Sequence, residues 1–228
     1  MRVSETLSPR AAYRLWARTW DQDASAIVAL ESRCLLPLLP EMRGKCVVDV
    51  GCGTGRWLAE FRRRGAVAVG VDLSVEMLGQ AARKPGLAGL LAAADAERLP
   101  FPDGCADLVL CALTLGHLPD PAGSLGELVR LARPGGAVWI TDFHPEAARR
   151  GWKRTFRSGE RTYEIRNHWY GKAELERAGE AAGLELEEWR EPCFGEPERE
   201  IFREAGREDL FEAARGTPAV LLARWRRK

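Results

Sequence analysis

The sequence lacks a long apolar run and an excess of charge of either sign. Stretches such as 86–94 fall far below the ~20 apolar residues that span a bilayer, and residues 1–6 contain no apolar segment typical of a secretion signal. The 34 basic residues nearly balance the 33 acidic ones, so the net charge of +1 gives no general attraction to nucleic acid. We therefore expect neither a membrane nor a nucleic acid as partner.

The six cysteines include no C-x-x-C pair, so a zinc site has little support. Cys46, Cys105 and Cys111 fall on or beside apolar stretches typical of strands. This placement favours reduced, buried thiols over disulfides, and it predicts a cytoplasmic location.

Internal repeats and low-complexity linkers are also missing. The chain has 228 residues, of which 46% are hydrophobic and 29% are charged, as in an ordinary globular protein. This length is sufficient for one continuous core, and we predict a single α/β domain over 1–228. The sequence leaves both a monomer and a homodimer open.

The most informative feature that is present is a glycine loop after an apolar run, Val47–Gly55 (VVDVGCGTG). Glycine has no Cβ, so the loop can turn tightly and let a ligand touch its backbone at the start of a helix. The phosphate-binding loop of nucleotide hydrolases ends in Gly-Lys-Ser/Thr, whereas Arg56 and Trp57 follow here. The dinucleotide fingerprint G-x-G-x-x-G needs glycine at position 56. The remaining pattern, G-x-G-x-G preceded by Asp49, predicts a nucleotide-like ligand across this turn.

Acidic residues end the next two apolar runs. Asp72 follows 66–71 and stands 21 positions after Gly51, where an acid can accept hydrogen bonds from both hydroxyls of a ribose. Asp72 could instead cap the following helix, but Ser74 already suits that task. Asp95 ends the third run, and a fourth run spans 106–111. This alternation predicts successive strand–helix units.

Together, the segments VVDVGCGTG, VGVDLS, DAERLPFPD and CADLVLCALTLGHLPDP resemble the motifs of class I small-molecule methyltransferases (type 11) that use S-adenosylmethionine (SAM). The resemblance covers roughly 44–142. It implies SAM as the cofactor and methyl transfer to a small-molecule acceptor. It also implies cofactor-binding roles: Gly51 and Gly53 for the methionine part, Asp49 for the loop and the amino group, Asp72 for the ribose, Leu73 and Met77 for the adenine faces, Asp95 and Ala96 for its polar edge, and Cys111 near the methionine part.

The same resemblance implies a Rossmann-like α/β fold. Its sheet would have seven mostly parallel strands in the order 3-2-1-4-5-7-6, with an antiparallel last strand and helices on both faces. The expected parts are an N-terminal helical cap (1–43), the SAM-binding core (44–142), an insertion after strand five (143–170) and the C-terminal part of the sheet (171–228). Ser8-Pro9 and Asp120-Pro121 are helix-start signals, and Asp23 is expected to open a second helix of the cap.

The cap and the insertion fall outside the shared motifs. Tyr13 and Trp20 lie in a segment similar to the family's doubled Tyr-Asp pattern, in which Tyr13 would close over SAM and Trp20 would line the acceptor cavity. They could equally form the core face of an amphipathic helix. In the insertion, the segments flanking Ser158-Gly159 predict a β-hairpin beyond the carboxyl ends of the strands. Its excess of basic residues would suit an anionic acceptor, although a solvated charged face is the commoner explanation.

An oxygen acceptor of high pKa needs a general base, and three histidines are candidates. We choose His144, at the predicted tip of strand five. We interpret His117, just after strand four, as mainly structural, and His168 could either enter the pocket or bond locally. Cys52, inside the glycine loop, is interpreted as a small side chain that packs beneath the cofactor, not as a nucleophile.

Two classes of acceptor are set aside because their motifs are missing. Methyltransferases of exocyclic base amines resemble one another in an Asn/Asp-Pro-Pro-aromatic motif after strand four, where this chain has LTLG, and C5-cytosine enzymes need a Pro-Cys nucleophile there. The class of acceptor that is left is a small molecule methylated on O, N, S or C. Two rival functions stay open: an NAD-dependent oxidoreductase, disfavoured by Arg56, and a non-catalytic domain that keeps SAM as a structural or regulatory ligand.

Overall fold

The computed structural model describes residues 4–228, so the first three residues of the predicted cap lie outside it. The described residues form two sheets. Their strands are β1 (Glu5–Leu7), β2 (Cys46–Val50), β3 (Val67–Asp72), β4 (Leu91–Ala93), β5 (Ala106–Ala112), β6 (Ala132–Phe143), β7 (Thr155–Ser158), β8 (Arg161–Ile165), β9 (Leu184–Arg190) and β10 (Val220–Arg227).

The α-helices connect and cover these strands. They are α1 (Pro9–Trp16), α2 (Ala26–Leu35), α3 (Arg56–Arg63), α4 (Val75–Ala81), α5 (Pro121–Leu131), α6 (Pro145–Arg149), α7 (Lys172–Ala181), α8 (Glu196–Glu204) and α9 (Glu208–Ala214). Short 3-10 turns lie at Leu36–Leu38 and Leu115–His117. No helix within residues 4–228 is both long and apolar enough to cross a membrane.

The large sheet has seven strands in the order β4-β3-β2-β5-β6-β10-β9. The pairs from β4 to β6 are parallel, and β10 runs antiparallel to both of its neighbours. Counted within this sheet, the order is 3-2-1-4-5-7-6, as the resemblance implies.

Side-chain alternation along the strands divides the core between the two faces of the sheet. Val47 packs in a cluster with Trp57 and Leu58 of α3, whereas the adjacent Val48 packs in a cluster with Leu125 and Leu128 of α5. Strands buried on both faces are typical of parallel sheets covered by helices, and this explains their nearly continuous apolar sequence.

Local side chains explain where the helices of the cap begin. The Ser8 hydroxyl accepts a hydrogen bond from the amide of Ala11, so α1 starts as predicted. The predicted start at Asp23 is wrong: α2 begins at Ala26 with Ser25 as its N-cap. The Asp23 carboxylate instead accepts a hydrogen bond from the indole of Trp16 at 2.6 Å and closes the loop between the two helices.

The small sheet joins the cap to the insertion. β7 and β8 form the predicted hairpin, and β1 pairs in parallel with β8. On its inner side Ala12 of α1 packs with Phe156 and Ile165, and the rings of Trp16 and Phe156 stack at 4.9 Å. We call these two segments, Glu5–Trp16 and Thr155–Ile165, the roof.

Candidate active site

A cavity of about 310 Å³ lies where the carboxyl ends of β2, β3, β4 and β5 meet the roof. We call its strand-end wall, with the glycine loop, the floor. The lining residues include all predicted cofactor-binding residues except Cys111, namely Tyr13, Asp49, Gly51, Gly53, Asp72, Leu73, Met77, Asp95 and Ala96. The parallel sheet brings these side chains together because the strands end at the same edge.

The glycine loop needs its glycines for both conformation and space. Gly51 has φ +71°, and a Cβ there would lie 2.2 Å from Oγ1 of Thr114, which follows β5. Gly53 has φ +55°, and its amide donates a hydrogen bond to Asp72 at 2.8 Å. An L side chain would therefore strain the loop and push it away from its neighbours.

Asp49 supplies a buried acceptor to the cavity wall. Its side chain is only 1% exposed, and its Oδ2 has no hydrogen-bond partner within the described residues. Burial raises the pKa of this carboxyl to about 7, although the nearby charge of Arg56 opposes the shift. A buried, unpartnered carboxylate oxygen suits a cationic donor, and the amino group of SAM is such a donor.

Asp72 holds the glycine loop from the end of β3. Its two oxygens accept hydrogen bonds from the amides of Gly53 and Ser74, each at 2.8 Å. Burial raises its pKa, and these amides oppose the shift. Ser74 caps α4 through the amide of Met77, so the capping alternative for Asp72 does not hold. Each carboxylate oxygen can accept a second hydrogen bond, which leaves capacity for ribose hydroxyls.

Two predicted site residues do not line the cavity. Cys111 is fully buried in the core cluster of one sheet face, and the chain reaches the cavity only one residue later, at Ala112. His144 caps α6: its Nδ1 accepts a hydrogen bond from the amide of Glu146, and its Nε2 lies 3.2 Å from Glu191. His144 does lie at the tip of strand five, as predicted, but neither its side chain nor that of Cys111 lines this cavity.

His117, not His144, is the histidine whose side chain lines the cavity. Its Nε2 lies 2.9 Å from the hydroxyl of Tyr13 in the roof. Burial and then the charge of Arg154 lower the pKa of His117 well below its usual value, so the ring is neutral near neutral pH. Burial raises the pKa of Tyr13, so its hydroxyl keeps its proton and can donate it to Nε2.

Arg154 turns inward from the insertion and is only 6% exposed. Its guanidinium donates to the side-chain oxygen of Asn167 at 3.1 Å and to the carbonyl of Leu113, and it lies 3.5 Å from the carboxylate of Asp142. Neighbouring basic residues pair outward instead, such as Lys153 with Glu164 at 2.6 Å. Most of the insertion is thus a solvated charged face, and Arg154 is an exception on the cavity wall.

The remaining candidates behave as small structural groups. Cys52 is buried, and burial followed by the charges of Asp49 and Asp72 raises the pKa of its thiol, so it stays protonated and packs against Gly70. Cys46, at the start of β2, is exposed, contrary to the expectation of a buried thiol. His168 does not line the cavity, and its ring stacks with Tyr170.

Comparison with known proteins supplies the family. Residues 48–140 match the family model described as a methyltransferase domain. The chain is 38% identical over 104 residues to malonyl-[acyl-carrier protein] O-methyltransferase of Pectobacterium atrosepticum. The aligned segment covers 46% of this chain and 41% of that protein. A solved SAM-dependent methyltransferase from Mesorhizobium loti superimposes with a TM-score of 0.69 at 25% identity, covering 90% of this chain and 99% of the other.

The chain therefore resembles the class I SAM-dependent methyltransferases, over residues 48–140 by the family model and over 90% of its length by fold. Its cofactor is SAM, and its Rossmann-like fold is that of the family. It is also 39% identical over 104 residues to the ubiquinone biosynthesis O-methyltransferase of Methylococcus capsulatus, which covers 44% of each chain. The matched part of the chain thus spans less than half the length of these two curated relatives.

Proposed function

We propose that this chain is an enzyme that transfers the methyl group of SAM to a small-molecule acceptor beneath the roof. The observation that carries this proposal is a single cavity that joins the glycine loop and the strand-end acids to the Tyr13–His117 pair. A wall suited to SAM therefore faces a possible base across a shared space. Alignment of two reactants in such a space supplies much of the acceleration of a displacement reaction.

We assign the floor to the cofactor. Asp49 takes the amino group, Asp72 the ribose hydroxyls, and the backbone at Gly51 and Gly53 approaches the methionine part. The side chains of Leu73 and Met77 flank the adenine, and Asp95 with Ala96 meets its polar edge; all of these residues line the cavity. When bound, SAM supplies a methyl group on a sulfonium sulfur, which an acceptor atom displaces in line.

For a hydroxyl acceptor, Tyr13 and His117 supply the base. An acceptor O–H bonded to the Tyr13 oxygen passes its proton to that oxygen as the Tyr13 proton moves to Nε2 of His117, 2.9 Å away. The charge of Arg154 favours negative charge on the Tyr13 oxygen but, with burial, opposes positive charge on the His117 ring. The pair therefore suits an acceptor O–H of low pKa such as a phenol. Two relatives named as O-methyltransferases support an oxygen acceptor.

The wall around the acceptor favours an anionic group on that molecule. Arg10 and Arg154 both line the cavity on the side of the roof. Trp20 lines the same side and offers an apolar surface beside the ring of Tyr13 at 5.7 Å. We therefore expect a small acceptor with an apolar body, a hydroxyl and a negative charge. A cytoplasmic location stays a prediction.

The test is methyl transfer from labelled SAM over a panel of small hydroxy acids, phenols, thiols and amines. We expect labelled product and release of S-adenosylhomocysteine (SAH) with at least one hydroxyl acceptor. Tight SAH binding without transfer to any acceptor would favour the non-catalytic rival. Binding of NAD without binding of SAM, measured by calorimetry, would favour the oxidoreductase.

A further inference from the structure

Arg56 lines the cavity, yet the proposed reaction gives it no role. It is the first residue of α3, directly after the glycine loop. Its Nη1 lies 2.8 Å from Oε2 of Glu31 and donates a hydrogen bond to the hydroxyl of Ser32 at 2.6 Å. Its guanidinium carbon lies 4.8 Å from the ring centroid of Trp57. These contacts hold the guanidinium at the cavity wall, and both of the polar ones use Nη1.

Glu31 is an unusually well-fixed partner for this guanidinium. Its side chain is fully buried. Its Oε1 accepts hydrogen bonds from the indole of Trp57 at 3.0 Å and from the hydroxyl of Thr141 at 2.9 Å. A carboxylate tied to both α3 and β6 cannot follow Arg56 if that side chain moves. The position of Arg56 is therefore set by the core of the protein.

Asp49 places an opposite charge on the same stretch of the cavity wall. Its Oδ2 is buried and unpartnered within residues 4–228, and Arg56 is near enough to act on its charge. In an α-amino acid the ammonium nitrogen and the carboxylate share one carbon atom. A ligand whose ammonium group reaches Asp49 must therefore keep its carboxylate close by, and Arg56 with the positive N-terminal end of α3 offers that carboxylate a partner on the same cavity wall.

We propose that Arg56 binds the α-carboxylate of the methionine end of SAM and that Glu31 is its positioning residue. This assignment rests on the proposed function because SAM is the ligand. Asp49 and Arg56 together bind both charges of the zwitterion. The site then selects an adenosine that carries an amino acid over the same adenosine without one.

The test measures binding of two ligands to the full chain by calorimetry, without any methyl transfer. SAH carries the amino-acid end, whereas 5′-methylthioadenosine has the same nucleoside and lacks it. Arg56→Gln should weaken SAH binding about tenfold or more, as expected for a lost charge-assisted contact. Binding of 5′-methylthioadenosine should change by less than about twofold.

Arg64→Gln is the matched control. Arg64 follows the same helix, its side chain is 30% exposed like that of Arg56, and it pairs with Glu60 at 2.6 Å. It does not line the cavity. We expect this variant to bind both ligands as the unmodified chain does.

Equal weakening of both ligands by Arg56→Gln would overturn the assignment and leave Arg56 as the structural partner of Glu31. Unchanged binding of both would overturn it too. Should Arg56→Gln fail to fold, Arg56→Lys keeps a charge for Glu31 but loses the planar fork, so SAH alone should bind several-fold more weakly. If the unmodified chain bound no SAH, the proposed function itself would fail, and that result is distinct from either outcome above.

Glu31→Gln tests the positioning role separately. The glutamine oxygen can keep the hydrogen bonds from Trp57 and Thr141, while its amide repels the guanidinium that the carboxylate held. We expect SAH binding to fall several-fold with 5′-methylthioadenosine binding unchanged. An unchanged ratio of the two affinities would remove Glu31 from this role.

Discussion

The floor and the roof of the cavity are built in different ways. The floor comes from consecutive strand–helix units, and backbone amides tie its polar groups, as the amides of Gly53 and Ser74 tie Asp72. The roof comes from two segments far apart in the sequence, joined by β1 beside β8 and by the ring of Trp16 on Phe156. The difference shows that the floor, which we propose binds the cofactor, is encoded locally, whereas the roof, which we propose covers the acceptor, depends on long-range packing.

The largest effect should separate two glycines, one from each region. Gly51→Ala in the floor should lower the free energy of unfolding by ~2–5 kcal/mol, because a positive φ costs ~1–2 kcal/mol and the overlap with Thr114 adds ~1–3 kcal/mol. Gly159→Ala in the roof has the same kind of backbone, φ +59°, but open space around it. It should cost only ~1–2 kcal/mol. Urea unfolding of both variants measures the difference, and equal costs would show that Thr114 moves aside.

The second effect should divide catalysis from cofactor binding. His117→Ala should lower the rate of methyl transfer to a hydroxyl acceptor about 100-fold, as for loss of a general base, while SAH binding stays unchanged. Tyr13→Phe should act in the same direction. His144→Ala is the matched control, because its ring caps α6 away from the cavity and its loss should leave the rate unaltered. A slow His144→Ala variant and a fast His117→Ala variant would reverse the assignment.

The smallest effect concerns pH and belongs to the floor. Burial raises the pKa of Asp49 to about 7, so the carboxyl is protonated below that pH and ionised above it in the free protein. A bound ammonium group favours the ionised form, so binding at low pH must first release a proton. SAH affinity should therefore fall about tenfold from about pH 8 to about pH 6. Calorimetry at both values checks this, and Asp49→Asn should bind weakly with little dependence on pH.

The two regions also differ in how far the sequence could predict them. Asp49, Asp72 and Asp95 all line the cavity because each lies at or near the end of an apolar run, and parallel strands end at one edge. Cys111 failed because one step along a strand turns a side chain from the cavity to the core. Among the residues predicted to bind the cofactor, the one error is thus a shift of a single position along a strand.

In the roof, and among the histidines that follow β5 and β6, the errors have a long-range cause. β1 has three residues, too few for an alternating pattern, and it forms only because β8 offers an edge. Nothing local distinguishes His117 from His144; the difference is the Tyr13 hydroxyl, which lies 104 positions away from His117 in the sequence. The position of His117 in the motif after strand four was the available signal, and we had interpreted it as structural.

Because β1 lies in parallel beside β8, the roof has an implication for protein engineering. A graft that exchanged only the hairpin for that of another enzyme would remove the strand that pairs with β1 and the ring of Phe156 that stacks on Trp16. A workable chimera would have to carry Glu5–Trp16 and Thr155–Ile165 across as one unit. Natural changes of acceptor in this architecture would be constrained in the same way, with substitutions in one segment compensated in the other.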